Sequence, residues 1–95
     1  MDLGLKGKTA LVTGSARGIG ASIAASLAKE GVNIIITDIN DNNAGNITAE
    51  IQKYGVKCWF YTMNVADSNS VSECIKKIQE AGIGIDILVN NAGVT

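Results

Sequence analysis

Four short runs rich in β-branched residues alternate with three stretches of helical period, and that alternation leaves very few folds open. The runs are 9–13 (T-A-L-V-T), 32–37 (V-N-I-I-I-T), 56–62 (V-K-C-W-F-Y-T) and 85–89 (I-D-I-L-V). Runs that are apolar on both faces suit a parallel sheet covered on each side. Between them, Ile19, Ile23 and Leu27 recur four apart with Ala24 and Ala28 beside them. Ala44, Ile47, Ile51 and Tyr54 form a second stripe, and Val71, Cys74, Ile75 and Ile78 a third, behind Asp67 as N-cap. Each helical stretch stops at a glycine (Gly31, Gly55, Gly82), the residue that best tolerates a left-handed C-cap. Gly45 falls inside the second stretch and weakens its first turn. The pattern β-α-β-α-β-α-β implies right-handed crossovers and an α/β, doubly wound parallel sheet of order 3-2-1-4.

Composition removes several alternatives. Ninety-five residues make one small domain. At 46% apolar, with mean hydropathy +0.21, the chain is too hydrophobic for disorder and too interrupted for a membrane span. Lys and Arg number 8 against 9 Asp and Glu, so the basic stripe that nucleic acid requires is missing. The sequence has no histidine, which excludes Ser-His-Asp triads and His-bearing zinc sites. Cys58 and Cys74 lack C-x-x-C spacing and read as reduced packing residues, and with no basic region followed by an apolar core at residues 1–4 no signal peptide is expected. A cytoplasmic protein is expected.

The first strand runs directly into Thr13-Gly14-Ser15-Ala16-Arg17-Gly18-Ile19-Gly20 and then into a helix. Strand, glycine turn and helix together bring free N–H groups and the positive end of a helix dipole to one place, where an anionic phosphate can sit. Gly14 suits the tight turn, Gly18 a close backbone approach to a pyrophosphate, and Gly20 close helix–strand packing. The spacing is G-x-x-x-G-x-G, neither a G-x-G-x-x-G fingerprint nor a P-loop. A glycine-rich βα turn without any ligand fits the same residues.

The turn is followed by Asn90-Asn91-Ala92-Gly93 at the end of the fourth strand. Together they resemble the classical short-chain dehydrogenase/reductase family. Asn64-Val65 and the run 85–93 are closest in texture to its 3-oxoacyl-acyl-carrier-protein reductases. The resemblance covers the whole chain. It implies a Rossmann-type sheet and, over 1–95, the dinucleotide-binding N-terminal half of a single domain. It also implies cofactor contacts at Gly14, Ser15, Arg17, Gly18, Ile19, Gly20, Asp38, Ile39, Asn64, Val65, Asn90, Ala92 and Gly93. Asp38 closes the second strand, where a carboxylate can accept hydrogen bonds from both ribose hydroxyls of an adenosine and repel a 2′-phosphate. Arg17 pulls toward a 2′-phosphate, yet one exposed guanidinium offsets only part of that repulsion. NAD is therefore expected over NADP. The same position at Asp38 also suits a solvated acidic neighbour of the next helix, and Arg17 a plain loop cation. Family relatives often carry Asp at position 64, where this chain has a neutral Asn. Trp59-Phe60-Tyr61, which could be imagined as a stacking platform, is better read as core, because neighbours on a strand point to alternate faces.

The family's chemistry implies a serine and a Tyr-x-x-x-Lys pair, in which the ammonium lowers the tyrosine pKa and the tyrosine moves a proton. Neither Tyr54 nor Tyr61 has lysine at the fourth position. No catalytic residue and no metal ligand set is identified, and the 95-residue chain is expected to be inactive alone. The leading expectation is an NAD(P)-dependent oxidoreductase for an alcohol/ketone pair. A non-enzymatic nucleotide-binding or assembly module is the alternative, and an epimerase or dehydratase of the extended family a third. With no helix after the fourth strand, one sheet face is expected to stay partly bare and to favour a homo-oligomer, dimer or tetramer.

Overall fold

A computed structural model describes residues 4–91. The element order is β1 (Thr9–Thr13), α1 (Gly18–Lys29), β2 (Asn33–Asp38), α2 (Ala44–Gln52), β3 (Cys58–Thr62), α3 (Ser68–Glu80) and β4 (Ile87–Val89). The four strands form one parallel sheet in the order β3-β2-β1-β4, as the alternation predicts. The third and fourth strands start two residues later than the apolar runs do. Gly31, Gly55 and Gly82 all take positive φ just past their helices.

Successive strand residues feed two separate cores, one on each face of the sheet. Ala10, Val12, Ile34 and Ile36 point toward α1 and α2, joined there by Ala24, Ala28, Ile47 and Ile51. Leu11 and Ile35 point the other way and meet Met63, Cys74 and Ile78 beneath α3. Within 59–61, Phe60 packs with the first group and Trp59 and Tyr61 with the second. That division confirms core packing over a stacking platform.

The expected stripe on α1 requires correction. The helix turns Gly20, Ala24 and Ala28 to the sheet, while Ile19 is 73% exposed and Ile23 and Leu27 are half-buried. Three small residues spaced by four let the helix lie close over β1 and β2, whose own Val12, Ile34 and Ile36 fill the volume between. Tyr54 lies beyond the end of α2 and is largely exposed, with Lys29 Nζ 5.8 Å from its ring centre. In α3, Asp67 caps as expected, its Oδ1 accepting from the Asn69 and Ser70 N–H groups at 2.9 and 3.4 Å.

Asp86 has a role that spacing did not disclose. Its Oδ2 accepts from the Thr9 N–H at 2.9 Å and its own N–H donates to the Thr9 carbonyl at 2.8 Å, which locks β4 against the start of β1. Leu88, the register partner of Leu11, is 68% exposed. The α3 side of the sheet is therefore bare at β4, as expected. None of the helices is long and apolar enough to cross a membrane, among the described residues.

Both cysteines are buried free thiols, one in each core. Burial pushes the Cys58 thiol up from 9.0 to about 12. Burial also raises Cys74, against an opposing pull from Lys77. A raised thiol pKa means that the native state holds its proton more tightly than the unfolded chain does. The stability this contributes is complete below pH 9.0 and is lost as pH climbs toward about 12. Thermal melts across that range should show a steeper alkaline fall for the natural chain than for Cys58→Val, which keeps the apolar volume and has no proton to lose.

Candidate functional site

The carboxyl ends of the strands, where β4 lies beside β1 and the order of the sheet reverses, form one end of the molecule, the ligand-binding position of an open α/β sheet. An open cleft of about 550 Å³ lies there, lined by Gly14, Arg17, Asp38, Ile39, Asn40, Met63, Asn64, Val65 and Asn91. Six of these were singled out from sequence. Asn40, Met63 and Asn91 were not, although Asn91 belongs to the same asparagine pair as Asn90.

The turn between β1 and α1 is built by backbone conformation first. Gly14 and Gly18 take φ of +59° and +63°, in the left-handed region where a side chain is strained. Gly20 answers a different need. A Cβ placed on it would lie 2.2 Å from the Gly14 carbonyl oxygen and 2.8 Å from Asn91 Nδ2. The turn thus folds directly over the first coil of α1. Arg17 occupies the N-cap position in extended conformation without any side-chain cap bond. The opening N–H groups of α1 have no intrahelical partner, and no side chain of Arg17 competes for them. Arg17 itself lines the cleft, so the uncapped end of the helix lies beside it, where an anionic group fits.

The predicted contacts then divide by what their side chains do. Ser15 is fully buried. Its hydroxyl donates to the Val12 carbonyl at 2.6 Å and accepts from the Thr37 N–H at 3.3 Å, bracing the turn against β2. Gly18 and Ile19 lie on the outer side of α1 beside Ile23 and Leu27 and do not line the cleft. Asp38 reaches back from the end of β2. Its Oδ2 accepts from the Ala16 N–H at 3.1 Å, and Oδ1 from the Ile39 N–H at 2.8 Å. Each carboxylate oxygen keeps further acceptor capacity for a ligand hydroxyl.

Asn64 accepts through Oδ1 from the Ala66 N–H at 3.0 Å, an Asx turn after β3. Its backbone N–H donates to Ser70 Oγ at 2.9 Å. Asn90 and Asn91 tie the end of β4 to the turn: Thr13 Oγ1 donates to Asn90 Oδ1 at 3.2 Å and accepts from the Asn91 N–H at 2.9 Å. Asn91 Nδ2 donates to the Gly14 carbonyl at 3.2 Å. Ala92 and Gly93 lie outside the described residues. No group of three His, Cys, Asp or Glu could hold a metal ion among the described residues. Asn43 was missed altogether. Its Nδ2 donates to the Ala16 carbonyl at 2.5 Å, a contact across 27 positions that periodicity cannot reveal.

Comparison with known proteins agrees with this geometry. A family model described as short chain dehydrogenase matches residues 8–95. The 3-oxoacyl-[acyl-carrier-protein] reductase FabG of Aquifex aeolicus is 46% identical over 96 residues, a match that takes in 100% of this chain and 39% of that protein. A solved structure of L-sorbose reductase from Gluconobacter frateurii, complexed with NADPH and L-sorbose, superposes with a TM-score of 0.91 at 36% identity. It covers 99% of this chain and 36% of that one. NAD+-bound xylitol dehydrogenase superposes at 0.80 with 30% identity, covering 88% of this chain and 32% of that one. The chain thus spans between about a third and two fifths of the length of these relatives.

Proposed function

The chain belongs to the short chain dehydrogenase family, and from that premise we propose that it is the cofactor-binding part of an NAD(P)-dependent oxidoreductase for an alcohol/ketone pair. One observation supports this reading: Arg17, the N-cap residue of α1 without a side-chain cap bond, and Asp38 line one cleft at the switch point of the sheet. The N–H groups at Gly18, Ile19 and Gly20 would hold the pyrophosphate. Asp38 would accept from the adenosine ribose, with Ile39, Asn64 and Val65 around the adenine. Asn90, Ala92 and Gly93 would line the nicotinamide side. The nicotinamide ring supplies the hydride acceptor or donor. This chain's residues bind and orient, and none of them moves a proton, since neither tyrosine heads a Tyr-x-x-x-Lys pair. The chain by itself therefore turns nothing over. The texture of 85–93 leans the substrate of the whole protein toward a 3-oxoacyl group.

Between the two cofactors we favour NAD. Solved relatives hold either one, so the choice rests on the side chains beside the ribose. A 2′-phosphate there would face the Asp38 carboxylate at close range, a repulsion of about 4 kcal/mol per pair of unit charges at 4 Å near a protein surface. Arg17 lines the same cleft and recovers part of it. Titrating NAD+ and NADP+ against the chain under one set of conditions should give tighter binding of NAD+. Tighter NADP+ would refute the choice, and hydride turnover by the chain alone would refute its inactivity.

The bare flank at Leu88 and the open edge of β4 support self-association. Light scattering should show a mass that rises with concentration and falls back toward the monomer in Leu88→Lys. One monomeric mass throughout would contradict it.

A further inference from the structure

Ala16, at the centre of the glycine turn, is 2% exposed and is gripped on both sides by side chains from elsewhere in the chain. Its N–H donates to Asp38 Oδ2 at 3.1 Å and its carbonyl accepts from Asn43 Nδ2 at 2.5 Å. Asn43 is itself oriented. Its Oδ1 accepts from Asn46 Nδ2 at 3.1 Å, so the amide can only present its nitrogen to Ala16. Its backbone carbonyl takes the Ile47 N–H at 3.0 Å, fixing its main chain to the first turn of α2.

Asn43 stands at the N-cap position of α2, where asparagine ordinarily caps with its own side chain. Here it makes no such bond. The side chain is used on the turn instead, at the expense of the helix it begins. Nor does Asn43 line the cleft.

We propose that Asn43 is a positioning residue for the pyrophosphate. With Asp38 it holds the two peptide groups that flank Ala16, Asp38 the one before and Asn43 the one after, which sets the planes of the next peptides and aims the N–H groups of Arg17 to Gly20 at one point. This rests on the dinucleotide reading of the cleft. Asp38 serves the ribose subsite and the turn together, whereas Asn43 serves the turn only. The two halves of the ligand therefore separate their effects: loss of the Asn43 donor weakens phosphate binding and spares adenosine.

The test compares ADP-ribose and adenosine as probes for the natural chain, Asn43→Ala and Asn43→Asp. Asn43→Ala removes the donor without adding charge. Asn43→Asp keeps the shape and caps α2 at least as well, so its melting temperature should hold. Both variants should bind ADP-ribose about fivefold to tenfold more weakly, the size of one lost hydrogen bond, with adenosine affinity unchanged in Asn43→Ala. Amide hydrogen exchange without ligand adds an independent readout. It should quicken at Arg17 to Gly20 in Asn43→Ala and stay constant at Cys74 and Ile78. Equal weakening of both probes, no weakening of either, or faster exchange across the whole chain would overturn the role of Asn43 while leaving the cleft's function intact. Failure of the natural chain to bind either probe would overturn the dinucleotide reading, and this proposal with it.

Discussion

Gly20→Ala should abolish dinucleotide binding and lower the melting temperature by on the order of 10 °C or more. The added methyl would stand 2.2 Å from the Gly14 carbonyl oxygen and 2.9 Å from its carbon, both of them backbone atoms. No side chain can swing away to relieve that contact. Either the turn lifts off α1 or the helix backs away from the sheet, and overpacking of this kind costs about 1–3 kcal/mol or more. In a domain this small each kcal/mol moves the midpoint by roughly 4–8 °C. The turn is also held by Asn91 Nδ2 on the Gly14 carbonyl, which the same methyl crowds at 2.8 Å. A matched control lies in α2. Gly45 is inside the helix with nothing within 4 Å of an added Cβ. Gly45→Ala should therefore stabilise by about 0.5–1 kcal/mol. Opposite signs from the same chemical change would place the effect in the close approach at Gly20. Equal melting temperatures for the two variants would remove the steric explanation.

Asp38→Asn should invert or erase the preference between cofactors. The substitution keeps the size of the side chain but discharges it, which removes the repulsion of a 2′-phosphate and leaves Arg17 to attract one. The ratio of NADP+ to NAD+ affinity should rise by about tenfold to a hundredfold, or roughly 1.4–2.8 kcal/mol. The amide has one acceptor atom where the carboxylate has two, so either the Ala16 or the Ile39 N–H loses its partner. NAD+ affinity should fall for that reason as well. An unchanged ratio would show that Asp38 does not face the ribose.

Most of the scaffold was legible in the sequence because it is repetitive. Runs apolar on both faces suited a parallel sheet, glycines closed each helix, and the βα alternation pointed to a doubly wound sheet of order 3-2-1-4. The face of α1 was not legible. Residues 19, 23 and 27 and residues 20, 24 and 28 are adjacent stripes on one helix, and periodicity fits both equally. The bulkier stripe is the natural choice from hydrophobicity alone. What decides is the distance between helix and sheet, set by Gly20 under the turn, and only the assembled layers reveal it.

The cleft divides in the same way. Gly14 and Arg17 lie in the glycine turn and Asp38 closes a strand, whereas Ile39, Asn64 and Val65 were expected only because the family resemblance implies cofactor contacts there. Asn43, Asp86 and the buried hydroxyl of Ser15 act through hydrogen bonds to backbone atoms. A backbone partner leaves no trace in residue type. For Asn43 and Asp86 it also lies far along the chain.

Amide chemical shifts of the isotopically labelled chain, followed during titration with NAD+, address the binding function most directly. Saturable shifts should gather at Gly14, at Arg17 to Gly20, at Asp38 and Ile39, and at Asn64 and Val65. Shifts that never saturate, or that centre on the outer side of α1 around Ile23 and Leu27, would contradict a dinucleotide site at the carboxyl ends of the strands.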